Sequence, residues 1–328
     1  MVKVAINGFG RIGRCILRQG IKNKEIDFVA INDLTDNKTL AHLFKYDSVY
    51  GVFPEKVSSS DDSISIGNKK IKAFSEADPE KLPWKELGVE IVFECTGKLK
   101  KKEDFEKHLK AGAKKVVVSA PAEGVDAMVV LGVNNNDISP EKHTYSNASC
   151  TTNCLAPVVS VLEKEFGIIS GMMNTIHAYT SDQRLLDAPH KDLRRSRAAS
   201  LSIIPTTTGA TKAVGKVVPS VEGKMDGVSL RVPVPTGSMT DFVCILKKEV
   251  TKEEVNLALK KASETYLKGI LEFNEDPIVS HDIVGSSYSS IVDSELTQVV
   301  NKNMVRVMAW YDNEWGYSAR MLDLIKKV

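Results

Sequence analysis

Val2–Gly13, VKVAINGFGRIG, decides the fold. Val2–Asn7 is an apolar run of strand length. Gly8-Phe9-Gly10-Arg11-Ile12-Gly13 fits G-x-G-x-x-G and opens a helical pattern, Arg11–Gln19. A second apolar run, Phe28–Asn32, ends beside Asp33, 20 residues after Gly13. A glycine motif between strand and helix, followed at that distance by a carboxylate, is the arrangement that binds a dinucleotide. Gly8 permits the tight turn, Gly10 lets backbone approach a pyrophosphate, and Gly13 lets the helix pack on the strand. The helix N-terminus at Arg11 and Ile12 attracts the diphosphate. Asp33 accepts bonds from a ribose 2′-hydroxyl and repels a 2′-phosphate, which favours NAD over NADP.

Working outward, Ile91–Glu94 and Lys115–Ser119 are further apolar runs, and Glu103–Ala111 is a polar helical stretch. Apolar strands alternating with helices imply a parallel sheet covered on both faces. The second half reads differently. Gly227–Pro235, Thr240–Leu246 and Met304–Tyr311 are strand candidates, and Thr251-Lys252-Glu253-Glu254 is a capping box opening a helix. The expected class is α/β. A Rossmann dinucleotide-binding domain spans 1–149, and an α+β catalytic domain with a mainly antiparallel sheet spans 150–312. A C-terminal helix, 313–328, returns to the first domain.

The length, 328 residues, fits about two domains. With 44 basic against 42 acidic residues, charge gives no case for a nucleic-acid or membrane partner. The first residues lack a signal-peptide pattern, and no apolar run reaches the ~18 residues of a membrane span. Five cysteines, an odd number, fit a reducing compartment. The expectation is a cytoplasmic protein. Lys98–Lys102 (KLKKK) reads as a solvated patch.

Ser149-Cys150-Thr151-Thr152-Asn153-Cys154 precedes Leu155, Val158, Val159, Leu162 and Phe166 at helical spacing. Cys150 therefore falls at a helix N-terminus, where the dipole stabilises a thiolate, with Ser149 or Asn147 as the cap. Cys-x3-Cys is not a usual zinc pair, and no metal site is expected. Cys154 falls one turn further in, packed rather than reactive. Cys15, Cys95 and Cys244 read as small buried hydrophobes. His177 lies in the strand-like run Asn174–Thr180, but spacing alone does not select it, because partnership with Cys150 is spatial. His42, His108, His143 and His281 stand in polar surroundings without a supporting motif. His190 belongs to a polar loop with the basic cluster Lys191–Arg197, which reads as a solvated face or an intersubunit contact. Thr206-Thr207-Thr208-Gly209 offers an anion nest. Arg231 alternates with Leu230 and Val232 on a strand and is suited to phosphate.

In this order the motifs resemble the phosphorylating, NAD-dependent glyceraldehyde-3-phosphate dehydrogenase family. The resemblance runs end to end: Ala5–Gly13 (AINGFGRIG), Asn32–Thr35 (NDLT), Leu43–Gly51 (LFKYDSVYG), Ser146–Asn153 (SNASCTTN), Thr175–Tyr179 (TIHAY), Pro189–Arg195 (PHKDLRR), Ile203–Gly209 (IIPTTTG), Leu230–Pro233 (LRVP) and Trp310–Tyr317 (WYDNEWGY). It implies Cys150 as the catalytic cysteine and His177 as its activating histidine. Arg11, Ile12, Asp33, Ser119 and Asn313 match cofactor contacts. Ala77 stands where the family often has a basic residue, so only its backbone can serve. Ser149, Cys150, Thr151, Thr180, Arg195, Thr208, Gly209 and Arg231 match positions that hold the substrate and its phosphates. Pro189 resembles the proline of NAD-preferring members. Val52, Tyr288 and Val292 depart from the family's usual residues, away from the implied chemistry.

The implied reaction is the glycolytic one. Glyceraldehyde 3-phosphate and inorganic phosphate give 1,3-bisphosphoglycerate through a thiohemiacetal and a thioester on Cys150. The implied assembly is a homotetramer, with the loop Ser181–Leu201 near a neighbouring cofactor site. The rival within the fold is an erythrose-4-phosphate dehydrogenase, which commonly hydrolyses the thioester; Thr180 and the intact Thr206–Gly209 argue for the phosphorylating type. Nucleic-acid or surface binding is at most a secondary activity.

Overall fold

The computed structural model describes residues 1–328. Residues 1–129, 136–148 and 318–328 form one compact unit; 130–135 and 149–317 form a second.

The first unit is organised by Val2–Asn7 (β1), Arg11–Gly20 (α1) and Ile26–Asn32 (β2). β1 pairs in parallel with β2 on one side and with Ile91–Glu94 on the other. The parallel set continues through Lys115–Val118, Thr144–Ser146 and Ala127–Met128 on one flank and Lys69–Phe74 on the other. Val4, Ala5, Ile6, Val92 and Phe93 are fully buried, as in a sheet covered on both faces. Beyond Lys69–Phe74 lies an antiparallel edge hairpin, Val57–Ser60 with Ser63–Ile66. Its first strand, VSSS, has a single apolar residue; its second, SISI, alternates but is only four residues long. Because the chain leaves β1 to one side and later returns to the other, the sheet has a switch point at β1. Ligands of such sheets bind in the crevice beyond the strands' carboxyl ends there.

The second unit carries an eight-stranded sheet. Ile168–Ala178 lies inside it, antiparallel to Ser238–Leu246 and parallel to Met225–Val232. Antiparallel pairs prevail, and Leu271–Asn274 with Ser290–Asp293 forms the other parallel pair. The helix Cys150–Phe166 covers one face: Cys154 Sγ lies 3.3 Å from Thr240 Oγ1. Met172, Val228 and Met304 stand exposed on the other. The predicted capping box is present: Thr251 Oγ1 accepts from Glu254 N at 3.2 Å, and Glu254 Oε2 accepts from Thr251 N at 2.8 Å. The last helix begins at Trp315, not Asn313, because Asp312 Oδ1 accepts from the amides of Glu314 and Trp315 and so sets the start.

Gly8 occupies a position that only glycine fits without strain. Its φ is +92°, and a Cβ there would sit 2.5 Å from the backbone N of Thr96. A Cβ on Gly10 would meet nothing within 4 Å. Gly8→Ala should therefore lose about 2 kcal/mol or more, and Gly10→Ala about 1 kcal/mol or less, in urea unfolding of the full chain. Equal losses at both positions would contradict the close approach at Thr96.

Candidate functional site

In the first unit, a cavity of about 350 Å³ opens just beyond the carboxyl ends of four parallel strands. Asn7, Gly8, Gly10, Asn32, Asp33, Glu76, Ala77, Cys95, Thr96 and Lys98 all line it. A Cβ on Gly13 would lie 2.3 Å from Gly8 O, so that glycine lets α1 pack on the loop. Gly10, at the N-cap of α1, makes no side-chain cap bond, and Arg11 and Ile12 form the first helical turn. Asp33 Oδ2 accepts from Phe9 N at 2.8 Å, and Oδ1 accepts from Thr35 N at 3.0 Å. The carboxylate thus clamps the glycine loop as well as lining the cavity. Arg14 Nη1 donates to Phe9 O at 2.9 Å and holds the loop from the other side. The Arg11 guanidinium is engaged by Asp47 at 2.7 Å, which leaves backbone, not side chain, as its means of reaching a ligand. The residues fit a dinucleotide: the glycines leave room for backbone contact, and the Asp33 carboxylate follows β2, where a ribose hydroxyl would meet it. Ser119 is not among these lining residues; its amide donates to Glu94 O at 2.9 Å and its hydroxyl bonds the Cys95 thiol. Burial pushes that thiol well up. The sequence reading of Cys95 as packing material missed that it lines a cavity.

In the second unit, Cys150 is the first residue of the helix Cys150–Phe166. Ser149 is the cap: its Oγ accepts from Thr152 N at 3.0 Å. The preceding Ala148 holds φ at +52°, a conformation rare for a residue with a side chain, and it turns the chain sharply into the helix. Cys150 Sγ lies 3.4 Å from His177 Nε2. His177 Nδ1 lies 2.7 Å from Ala178 O. Nδ1 thus faces a carbonyl, which only accepts, at 2.7 Å and the Arg231 guanidinium, which only donates, at 3.0 Å; with the proton on Nδ1 the closer carbonyl is served and Nε2 presents its lone pair to sulfur. Arg231, the register partner of His177 on the adjacent strand, places Nη1 3.0 Å from Nδ1 and donates to Ala178 O and Thr180 Oγ1. Burial, then the Arg231 charge, pushes the imidazolium down to about 3. Burial also pushes the Cys150 thiol up, against the Arg231 charge and the amide and hydroxyl of Thr151. A lone charge on either group is disfavoured. Passing the thiol proton to His177 instead makes a net-neutral pair in contact, with the helix dipole and Arg231 favouring the thiolate end.

Arg231 is the uncompensated cation here. It donates only to neutral oxygens, and its buried Nε makes no hydrogen bond. Arg195 differs, being paired with Asp182 and lying 3.5 Å from Asp192, while its Nε donates to Thr206 Oγ1 at 2.9 Å. Thr208 Oγ1 accepts from Ala210 N at 3.2 Å, and Gly209 caps the helix Ala210–Val217. Thr151 is buried, with its hydroxyl 2.9 Å from Tyr311 OH; Thr175 Oγ1 is also 2.9 Å from that phenol. Tyr311 thereby ties the helix start to the His177 strand, a part the sequence reading did not give it. Ser238 was missed too. Its Oγ accepts from Ala178 N at 3.0 Å and donates to Asn313 Oδ1 at 2.9 Å, which orients the predicted cofactor contact Asn313. Cys154 is inert as expected: burial pushes it up to about 12. His108, read only as standing among polar residues without a motif, is fully buried. Phe105, His108 and Leu109 stand at i, i+3 and i+4 of its helix, so the spacing puts the ring on the buried face.

The family model described as "Glyceraldehyde 3-phosphate dehydrogenase, NAD binding domain" matches residues 2–102. That described as "Glyceraldehyde 3-phosphate dehydrogenase, C-terminal domain" matches residues 149–313. The chain is 56% identical over 324 residues to a glyceraldehyde-3-phosphate dehydrogenase of Geobacillus stearothermophilus, covering 98% of this chain and 97% of that protein. It is 56% identical to that of Thermotoga maritima, covering 99% and 98%. It is 55% identical to that of Borreliella burgdorferi, covering 100% and 99%.

His177→Asn removes the proton acceptor and leaves the thiol with its burial-raised affinity for the proton. Alkylation of Cys150 by iodoacetamide at pH 7 should slow at least about tenfold. An unchanged rate would remove His177 as the activator.

Proposed function

The chain belongs to the glyceraldehyde-3-phosphate dehydrogenase family, and from that premise we propose that it converts glyceraldehyde 3-phosphate to 1,3-bisphosphoglycerate with NAD and inorganic phosphate. The observation that carries the reading is the Cys150–His177 contact beside a buried arginine whose Nε lacks a partner. A thiol and base alone serve many reactions. The unpaired guanidinium restricts them to a substrate that brings an anion.

Cys150 Sγ bonds to the aldehyde carbon while its proton passes through His177 Nε2 to the new oxyanion, giving a thiohemiacetal. Bound NAD supplies the acceptor for the hydride that leaves this carbon. His177 Nε2 takes the hydroxyl proton as the hydride leaves, and a thioester on Cys150 remains. Inorganic phosphate attacks the thioester carbon, Cys150 leaves as thiolate, and His177 returns its proton. The amide of Cys150, at the helix start, is placed to stabilise the oxyanion of each addition. Arg231 and Thr180 anchor one phosphate and so orient the carbonyl. Ser149, Thr151, Arg195, Thr208 and Gly209 supply the hydroxyls, amides and second guanidinium for the other. Gly8, Gly10, Arg11, Ile12, Gly13 and Asp33 hold the dinucleotide, with Ala77 through its backbone, Ser119 and Asn313.

The working form is a homotetramer. Support comes from the apolar residues left exposed on the second unit's sheet, Met172 and Val228, and in its long loop, Leu185, Leu186, Leu193 and Leu201. Such a surface fits subunit contact. No helix is long and apolar enough to cross a membrane, and five free cysteines fit a cytoplasmic enzyme.

NADH absorbance followed with glyceraldehyde 3-phosphate should rise steadily only when inorganic phosphate is present. Cys150→Ser should bind NAD yet lose turnover by at least about a thousandfold. Sustained turnover without phosphate, above all with erythrose 4-phosphate, would assign thioester hydrolysis instead.

A further inference from the structure

Beneath the cavity of the first unit runs a row of buried side chains that the mechanism does not use. Asn7, Asn32 and Glu94 end adjacent parallel strands in register, Asn7 facing Asn32 on one side and Glu94 on the other. All three are buried. Asn32 Nδ2 donates to Asn7 Oδ1 at 2.7 Å, and Asn7 Nδ2 donates to Glu94 Oε2 at 2.6 Å. Asn32 also exchanges two bonds of 2.9 Å with the Glu76 backbone. The other oxygen of Glu94 accepts from Thr96 N at 2.8 Å and from Thr96 Oγ1. His108 closes the row: its Nε2 is 3.2 Å from Glu94 Oε2, and Trp84 Nε1 donates to its Nδ1 at 3.0 Å. An indole N–H only donates, so Nδ1 accepts and the ring proton sits on Nε2, aimed at Glu94.

The direction of each of these bonds is therefore fixed; Asn7 Nδ2 and His108 Nε2, 3.4 Å apart, are two donors to Glu94 Oε2, and the Glu94 carboxylate is filled by neutral donors alone. Asn7, Asn32, Glu76 and Thr96 also line the cavity; Glu94 and His108 do not. Thr96 N is the atom that a Cβ on Gly8 would meet first, at 2.5 Å. The geometry points to Glu94 and His108 as positioning residues of the cofactor site. They hold Asn7 and Thr96, and through Thr96 the glycine turn, in the shape that receives the dinucleotide. This rests on the reading of that cavity as the NAD site.

Glu94→Gln keeps the shape and breaks the pattern. Its NH2 group must face either Thr96 N–H or the Asn7 and His108 donors, and flipping Asn7 only moves the conflict to Asn32. His108→Leu removes a donor and orphans the Trp84 indole. His108→Gln supplies an N–H and an acceptor side by side, as the ring does.

On the full chain, NAD binding by calorimetry, kcat, KM for NAD and NAD-free alkylation of Cys150 would be measured together. Glu94→Gln and His108→Leu should weaken NAD binding at least about tenfold and raise KM in step. kcat at saturating NAD should stay within about twofold and alkylation unchanged, whereas His108→Gln should bind within about threefold of wild type. Unchanged NAD binding in Glu94→Gln would overturn the proposal, as would equal weakening by both His108 variants, which would mean packing alone. A fall in kcat and alkylation alongside NAD binding would overturn it too, as general destabilisation. If Glu94→Gln does not fold, the two His108 variants decide. Wild-type protein that fails to bind NAD would overturn the cofactor reading instead.

Discussion

The contact between Cys150 Sγ and His177 Nε2 depends on register. Ile168–Ala178 is hydrogen-bonded on both sides, so its side chains have no freedom to slip. A shift of one residue would turn His177 to the sheet's exposed face and bring Ile176 under the helix. The same register sets Arg231 beside His177. From the other direction, Ala148 and the Ser149 cap fix where the helix begins, and hence where the sulfur sits. Tyr311 locks the two halves by bonding Thr151 of the helix and Thr175 of the strand through one hydroxyl. Its ring packs edge-on to His177 at 5.9 Å, which limits rotation of the imidazole.

Burial and charge then oppose each other in a useful way. The site is dry enough to push the imidazolium down to about 3, so His177 rests as a free base. A base that weak would not hold a proton by itself. It holds one when the thiolate forms beside it, because the opposite charges arise together. Arg231 works on both partners: its charge favours the thiolate and disfavours the imidazolium. An anion on Arg231 would weaken both effects, raising the proton affinity of His177 and of the Cys150 sulfur together.

How much of this was legible follows from what kind of signal each residue leaves. The strands Val2–Asn7, Ile91–Glu94 and Met304–Tyr311 were read to the residue because their apolar runs end at polar groups. The helix start at Cys150 was legible because a capping serine stands directly before an apolar period. Arg231 was legible as a charge alternating with apolar neighbours, but its pairing with His177 was not, since strand order leaves no local trace. The edge hairpin Val57–Ile66 was lost because its first strand has one apolar residue and its second alternates over only four. The row of Glu94, His108 and Trp84 was lost for a different reason. Spacing can put a residue on a buried face but does not name its partners, and these partners lie on separate strands and helices.

The two units also solve the problem of binding an anionic ligand by different physics. The second unit keeps a buried guanidinium whose Nε makes no hydrogen bond, which costs stability in the free protein. On the proposed reading a substrate phosphate would offset that cost and a neutral aldehyde would not. The first unit keeps no such charge under its cavity. Its carboxylate is satisfied by amides, a hydroxyl and an imidazole N–H, so the site is complete before a ligand enters. Complete networks are rigid, since any rotation breaks several bonds at once. A dinucleotide is long and flexible and loses much freedom on binding; a site already fixed in shape adds no ordering cost of its own. A short triose phosphate needs less shape and more charge. The unpaired arginine therefore stands beside the thiol, and the closed polar row stands under the glycine turn.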